Sequence, residues 1–309
     1  MANVQTYGGL TAQQKTFYDR TLLSRLLPNL VFAKYGQKKS APKHEGDTIN
    51  FRKFNSLPVA NTPLTEGVTP AGKSLNITAV TATVQQYGDY VEMSDKLDMV
   101  GIDPVLTETG QLLGEQAGLT LDTVVRDVVA AGTNVQYANK KGSRSAVGAA
   151  DILTGTEIKR AVRTLRKANA KPIDGQSYIG IVGPEAEFDL MADNMWQDVS
   201  KYAASTQIFE GELGKLYGVR FVRTSNASVF AGAGASGADV HATMIIGKDA
   251  YGVVDIEGSS KPEMIVKPHG SSGTADPLNQ RATSGWKALY TAMRLNELSM
   301  VRIEHGVTK

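Results

Sequence analysis

The sequence has 309 residues with 33 basic and 31 acidic side chains, which gives a formal net charge of +2 at pH 7. This balance argues against a protein whose main task is to coat nucleic acid, since such proteins carry a clear excess of cations. The absence of cysteine excludes disulfides, thiolate zinc sites and cysteine nucleophiles. There is no apolar run of about 18 residues and no secretory pattern at the N-terminus, so we expect a soluble globular protein.

The N-terminal part of the chain predicts an arm, a helix and an extended β-hairpin. Apolar residues at 17–31 recur at spacings of three and four, which predicts a helix that Pro28 interrupts. Residues 40–84 favour two strands, joined by a Pro- and Gly-rich tip at 57–73. Such a hairpin has too few apolar residues to bury itself and must rest on something else, which indicates an interaction protein.

The clearest helix is predicted over residues 103–131. Asp103 is a good N-cap, Pro104 suits the first helical position and Gly132 is placed to end the helix. At about 1.5 Å per residue it would be on the order of 40 Å long. Its broad apolar stripe is predicted to contain Leu106, Leu112, Leu113, Gln116, Ala117, Leu121, Val124, Val125 and Val128.

After a Gly-, Ser- and Ala-rich connection at 142–150, we predict a mixed α/β unit over 151–283. Its first helix would run from a capping box of Thr154 and Glu157 to about Ala168. A second helix is expected from Pro184 onwards, because proline is favoured in the first helical turn. The strands predicted for this unit and for the C-terminal segment are 178–183, 218–224, 241–246, 251–256, 286–295 and 297–304.

Motifs that would indicate catalysis or metal binding are not found. The four histidines lack ligand spacing and are interpreted as surface or loop residues. Gly232, Gly234 and Gly237 spell the G-x-G-x-x-G of dinucleotide-binding folds, but that site needs a helix directly afterwards. Since the sequence that follows favours a strand, we interpret this stretch as a loop. We therefore expect no enzymatic activity, no cofactor and no metal.

The helix predicted from residue 154 carries an unusual number of cations. One interpretation is a face that contacts phosphate or an acidic partner. The alternative is a solvated face whose cations favour the negative end of the helix dipole. The residues of this candidate charged face are Lys159, Arg160, Arg163, Arg166 and Lys167.

The order of these parts, together with several local sequences, resembles the major capsid proteins of tailed bacteriophages, which have the Hong Kong 97 fold. The local sequences look most similar to the branch named after coliphage N-four. They are NSLPVANTPLTEGVTP (55–70), VTATVQQYGDYVEMSD (80–95), DPVLTETGQLLGEQA (103–117), AGTNVQYAN (131–139), GELGKLYGVRFVRTSNA (211–227) and DPLNQRATSGWKALY (276–290).

This resemblance implies an α+β capsid fold with four parts along the chain. It implies a structural subunit that assembles as pentamers and hexamers into the icosahedral shell around a double-stranded DNA genome. The extended hairpin, or E-loop, would lie over a neighbouring subunit and contact it through Leu57, Pro58, Pro63, Glu66, Gly67 and Pro70. The implied parts are an N-terminal arm and helix (1–39), the E-loop (40–80), a peripheral domain with the long helix as its spine (81–150 and 284–309) and an inserted axial α/β domain (151–283).

The same resemblance implies the partners and the location of the protein. The main partner would be further copies of the chain, with a portal and a decoration protein as further candidates. Because the family-like segments begin close to the first residue, we expect scaffolding to come from a separate protein or not to be used. The protein would be made in the cytoplasm of a bacterial host and reside in the virion, with weak, non-specific contact to packaged DNA.

Two other functions remain open at this point. The same fold could form the shell of a cellular, encapsulin-type compartment, which would enclose protein cargo instead of nucleic acid. A soluble nucleotide-dependent enzyme that uses the glycines of 232–237 would instead form a small oligomer and be stabilised by nucleotide.

Overall fold

The computed structural model describes residues 31–41, 46–55, 57–96, 105–196, 212–256, 262–271 and 276–308. The predicted N-terminal arm, the helix before Pro28 and the start of the long helix lie outside these residues. None of the described helices combines the length and apolarity needed to span a membrane.

The described elements are numbered in chain order. The helices are α1 (Phe32–Tyr35), α2 (Val105–Ala130), α3 (Gly155–Lys167) and α4 (Pro184–Ala192). The strands are β1 (Gln37–Ala41), β2 (Thr48–Phe54), β3 (Ile77–Thr83), β4 (Gln85–Ser94), β5 (Val135–Tyr137), β6 (Tyr178–Val182), β7 (Glu212–Leu216), β8 (Val219–Arg223), β9 (Val229–Phe230), β10 (Val240–Ile246), β11 (Tyr251–Ile256), β12 (Glu263–Lys267), β13 (Arg281–Arg294) and β14 (Met300–His305).

Helix α2 is the long helix that the sequence predicted. Its 26 residues bury a stripe in which every fourth side chain faces the core. That stripe packs against β13 and β4, and it consists of Leu113, Ala117, Leu121, Val125 and Val129. Two residues predicted for the stripe face elsewhere: Leu112 is 62% exposed, and the Gln116 side chain bridges Asp89 of β4 and Trp286 of β13 through hydrogen bonds.

The first sheet is built around the fourteen-residue strand β13. On one edge β13 pairs with β4 over ten residue pairs, from Arg281–Ser94 to Tyr290–Gln85. On its other edge it pairs first with β12 and then with β11, all antiparallel. Strand β1 pairs in parallel with β11 and completes the sheet. Strands β1, β4 and β12 were not predicted as separate strands from the sequence.

The second sheet has the order β5-β14-β10-β6-β8-β7, with the short β9 paired to β10. Its side chains alternate between two cores, as the period of two in a strand requires. On β10, for example, Met244 and Ile246 join the core beneath α2, whereas Ile245 joins a second core. That second core contains the inner faces of α3 and α4, so this sheet is covered by helices on both faces.

Both sheets contain strands from both sides of residue 284, where the predicted peripheral and axial domains meet. Strand β14 lies within 284–309 but pairs with β10 of the inserted segment. Strands β11 and β12 lie within 151–283 but pair with β13, which itself spans the boundary. The domain division remains a prediction.

Helix α3 begins close to the predicted residue but without the predicted capping box. The Thr154 side chain makes no capping hydrogen bond. Glu157 is instead buried, where its carboxylate accepts hydrogen bonds from Gln136 Nε2 at 2.7 Å and Arg160 at 2.5 Å. The N–H of Gly155 is satisfied by Asp193 Oδ2 at 2.6 Å. The predicted capping box was wrong, because Gln136 and Arg160 engage the Glu157 carboxylate and the Thr154 side chain makes no capping hydrogen bond.

Candidate assembly surfaces

The most extended feature of the described chain is the hairpin formed by β2 and β3. Its two strands pair antiparallel from Thr48–Thr83 to Phe54–Ile77. One further backbone hydrogen bond, from Asn55 N–H to Asn76 O at 3.0 Å, continues the ladder beyond the strands. The predicted hairpin is therefore present, with a long segment, residues 57–76, connecting its strands.

Among the described residues, contacts with the rest of the chain anchor the base of this hairpin. Ile49, Phe51, Ala82 and Val84 are buried and form a small core with Val254 of β11. Every residue of the connecting segment 57–76 is exposed. The anchor fixes the direction of the hairpin, while its outer half has no partner among the described residues of the same chain.

The predicted assembly residues all lie in this exposed segment. Glu66 and Gly67 occupy the central positions of a turn closed by a hydrogen bond from Val68 N–H to Thr65 O at 3.2 Å. Gly67 has φ +73°, which a type II turn requires at its third residue and which glycine adopts without strain. The other predicted tip residues, all exposed, are Leu57, Pro58, Pro63 and Pro70.

The structure adds exposed apolar residues that the sequence analysis did not select. The signal was present in the sequence, since large apolar side chains recur within a Pro- and Gly-rich stretch that cannot form its own core. Together with Leu57 they give the outer hairpin an apolar surface, and they are Phe54, Val59, Leu64, Val68, Leu75 and Ile77.

A groove of about 960 Å³ lies between the stem of the hairpin and the loops that follow α3 and β10. Its lining is rich in cations, with Asp249 as the one carboxylate among the lining residues. Lys39 supports the stem, because its Nζ donates to Asn50 O at 2.9 Å and lies 5.1 Å from the centre of the Phe51 ring. The other cations of the groove are Arg52, Lys53, Lys171 and Lys248.

The candidate charged face on α3 is largely present, with one correction. Lys159, Arg163, Arg166 and Lys167 are exposed. Arg160 is instead turned inward, where it forms an ion pair with the buried Glu157. Arg160 therefore helps to hold α3 against the preceding loop and is not part of the exposed charge.

The Gly-rich loop has the glycine spacing of a dinucleotide site but lacks the helix that such a site requires directly afterwards. Gly232, Gly234 and Gly237 form turns around a short 3-10 segment, Ala235–Gly237. Strand β10 follows directly, as the sequence predicted, where such a site would need an α-helix. The loop is fixed by Asp239, whose Oδ1 accepts the Gly232 N–H at 2.8 Å.

Two of the titratable groups whose pKa is shifted, Asp122 and His305, are buried within the fold. Burial raises the pKa of Asp122 on α2, against the lowering effect of its hydrogen bond from Asn226. His305 on β14 is fully buried, so its interpretation as a surface or loop residue was wrong. Within the described part of the chain, no group of three or more His, Asp or Glu side chains is arranged to hold a metal ion.

An exposed apolar hairpin that projects from the two sheets is suited to binding another protein surface. Comparison of the sequence with protein families then identifies the family to which the chain belongs. Residues 77–303 match the family model described as "Phage capsid protein", which is well over half of the chain. The chain belongs to the phage capsid protein family. This family consists of structural capsid proteins and not of enzymes, and capsid proteins assemble with further copies of themselves. No curated protein matches the sequence of this capsid protein.

The solved structures similar to this capsid protein have the Hong Kong 97 fold, which confirms the predicted α+β fold class. The capsid of Ralstonia phage GP4 superposes with a TM-score of 0.69 at 14% identity, covering 89% of this chain and 88% of that one. The capsid of cyanophage Pam1 gives a TM-score of 0.70 at 16% identity, covering 89% and 92%. A virus-like particle from Pyrococcus furiosus gives 0.54 at 10% identity, covering 93% and 98%.

Proposed function

We propose that this capsid protein assembles as pentamers and hexamers into the icosahedral shell that encloses the double-stranded DNA genome of a tailed phage. The observation that carries the proposal is the hairpin, whose base is anchored and whose outer half presents seven large apolar side chains to solvent. A second copy of the chain is the partner that the family supplies for this surface.

Burial of these apolar side chains against a neighbouring subunit would favour assembly. Fully burying one large apolar side chain is worth about 1.5–3 kcal/mol. In a closed shell the same heterologous contact recurs between neighbouring subunits around each ring. Each subunit would therefore contribute its exposed apolar side chains to one copy of this contact. The predicted contact residues in this interface are Leu57, Pro58, Pro63, Glu66, Gly67 and Pro70.

The finer assignments follow from the family resemblance. We place the E-loop at 40–80, the peripheral domain at 81–150 and 284–309, and the axial domain at 151–283. The local sequences support membership of the branch named after coliphage N-four. A separate scaffolding protein, a portal and a decoration protein are the further partners in this proposal, and synthesis would take place in the bacterial host cytoplasm before incorporation into the virion.

Assembly can be tested directly on the recombinant protein. Sedimentation velocity and negative-stain microscopy should reveal fast-sedimenting closed or partly closed shells. The double variant Leu57→Asp, Leu64→Asp removes two exposed apolar side chains and should leave folded subunits that do not assemble. Thr62→Asp is the matched control, because it adds a charge to the same segment without removing an apolar side chain, and it should still form shells.

Two outcomes would contradict the proposal. If the double variant assembled as well as the wild type, the hairpin would not be the main contact. If the wild type formed only a small, stable oligomer even when expressed with the other head proteins of its phage, shell formation would be wrong.

The second candidate function is the shell of a cellular compartment. The similar structure from Pyrococcus furiosus is a virus-like particle, so a shell of this fold is not restricted to particles named as phage capsids. Particles purified from a native source distinguish the two candidates by their contents. We expect nuclease-sensitive DNA inside after disruption, whereas a packaged enzyme without DNA would favour the compartment.

A further inference from the structure

Helix α3 presents a row of exposed cations that have no acidic partner within the described part of the chain. Arg163, Arg166 and Lys167 are exposed, and no described carboxylate lies within 4 Å of any of them. Lys159 continues the row, with its Nζ 4.3 Å from the centre of the Tyr217 ring. Arg160, in contrast, points into the protein and pairs with the buried Glu157. The helix thus separates a neutralised inner cation from four exposed ones.

The overall charge of the chain is nearly balanced, so a cluster of four cations is a local feature. Without them, 29 basic residues would face 31 acidic ones, and the formal net charge of +2 would become −2. The face is therefore a local positive region on a protein whose total charge is close to zero. Such a local field attracts a polyanion to one place, without the general affinity of a strongly basic protein.

The geometry of the face suits a linear polyanion. The cations border a shallow groove of about 840 Å³ whose apolar floor includes Val162 and Tyr217. From Lys159 to Lys167 the helix rises about 12 Å. Over that length a DNA duplex presents about seven phosphate charges, at one per 1.7 Å. A duplex lying along α3 would therefore meet every cation of the row with a phosphate.

We propose that the exposed face of α3 binds the phosphate backbone of double-stranded DNA, so that the α3 layer forms part of the inner wall of the shell. The proposal rests on the proposed shell function, because that function places DNA next to the protein. Guanidinium groups pair with phosphate oxygens through two parallel hydrogen bonds, which favours Arg163 and Arg166 as the main contacts. Four cations per subunit give weak, salt-sensitive contact without sequence preference.

The test measures binding of a mixed-sequence duplex of about 30 base pairs to the purified, unassembled capsid protein by fluorescence anisotropy, between about 50 and 200 mM salt. The test variant is the triple substitution Arg163→Gln, Arg166→Gln, Lys167→Gln. Its matched control, Lys38→Gln, Lys140→Gln, Lys248→Gln, removes the same charge from other exposed positions. Thermal unfolding should be unchanged in both variants, because all six side chains are exposed.

We expect the α3 variant to bind roughly tenfold or more weakly at low salt, while the control stays close to the wild type. The slope of log K against log salt should fall by about 0.9 for each phosphate that the variant no longer neutralises. Equal reductions in both variants would overturn the proposal, because net charge alone would then explain binding. Displacement of the duplex by polyglutamate at equal charge concentration would also overturn it, in favour of an acidic protein surface as the ligand.

Shell formation by the same variants is assayed separately by sedimentation. Shells that form normally but bind DNA as tightly as the wild type would overturn the α3 proposal and leave the shell function intact. A wild type that binds DNA through α3 but never forms shells would contradict the shell function alone.

Discussion

Arg144 and Glu304, which are 160 residues apart in the chain, are joined by two parallel hydrogen bonds, from Nε to Oε2 at 2.8 Å and from Nη2 to Oε1 at 2.7 Å. Glu304 is fully buried on β14 and also accepts a hydrogen bond from Arg302 Nε at 2.8 Å. The Arg144 guanidinium stacks on Phe230, 3.5 Å from the ring centre. Its hydrogen bonds with Glu304 raise the pKa of Arg144, so the pair stays ionised. This cluster fixes the connection at 142–150 against the second sheet.

The first prediction concerns this buried cluster. Glu304→Gln should lower the free energy of unfolding by roughly 3 kcal/mol, because it leaves two arginines without their buried counter-ion. Chemical denaturation measures the change. Lys287→Gln is the control, since it breaks an exposed ion pair with Glu263 and should cost less than about 1 kcal/mol. Similar effects of the two substitutions would contradict a structural role for the cluster.

His305 makes the stability of the protein sensitive to acid. The ring is fully buried, with Thr243 Oγ1 3.0 Å from its Nε2 and Gly306 O 2.8 Å from its Nδ1. Burial lowers the pKa of His305 from 6.5 to about 4, and the nearby His241 acts in the same direction. Between these two values the unfolded chain binds a proton that the native state does not. Stability is therefore complete above about pH 6.5 and is lost progressively towards pH 4.

The second prediction is that this loss follows His305 and is removed by His305→Gln. In the wild type, proton linkage at His305 should lower the free energy of unfolding by about 3 kcal/mol between pH 6.5 and pH 4. Asp122 acts in the opposite direction because its pKa is raised, so the informative quantity is the difference between wild type and variant at each pH. Unfolding free energies measured from pH 7 to pH 4 give this difference. If the unfolding free energies of the two proteins changed in parallel with pH, the prediction would be contradicted.

The third prediction concerns the contact between α2 and the segment that precedes the first sheet. Asp122 Oδ1 accepts the Phe32 N–H at 2.8 Å, and its Oδ2 accepts Asn226 Nδ2 at 3.1 Å. Asp122→Ala should destabilise the protein by about 1–3 kcal/mol, because a buried N–H loses its acceptor. Amide hydrogen exchange at Phe32 should rise more than exchange along α2. Unchanged protection at Phe32 would show that this hydrogen bond does not hold the segment.

The fourth prediction concerns the joint between the hairpin and the first sheet. A Cβ atom at Gly252 would lie 2.8 Å from Cζ of Phe51, a buried residue at the hairpin base. Gly252→Ala should therefore displace the Phe51 ring and cost about 1–3 kcal/mol through overpacking. Gly72→Ala, in the exposed segment where no heavy atom lies within 4 Å, is the control. Melting temperatures provide the measurement, and equal values for the two variants would contradict the proposed joint.

Local signals predicted the elements that are stabilised locally. Helix α2 and the hairpin strands were expected close to their observed positions, because caps, periodicity and β-branched residues act over a few residues. The capping box of Thr154 and Glu157 failed for the opposite reason. Gln136 and Arg160 compete for the Glu157 carboxylate, and only the folded chain brings Gln136 within reach.

The candidate surfaces were also predicted only in part from the sequence. The sequence identified the hairpin tip and the cations of α3 as candidates, since both are contiguous in the chain. It did not distinguish Arg160 from its neighbours, because that distinction depends on a buried carboxylate across the helix. It also did not single out Phe54 or Ile77, whose exposure depends on where the small core around Val254 ends.

By itself, the sequence determined the absence of cysteine chemistry and the approximate positions of the long helix, helix α3 and the extended hairpin. Only the tertiary structure decided that β14 lies beside β10, that Arg144 and Glu304 form a buried ion pair, and that His305 is sealed from solvent. The physical reason is that helix-capping signals and hydrophobic periodicity are local properties of the sequence. Burial, by contrast, belongs to a side chain only after distant strands have paired around it.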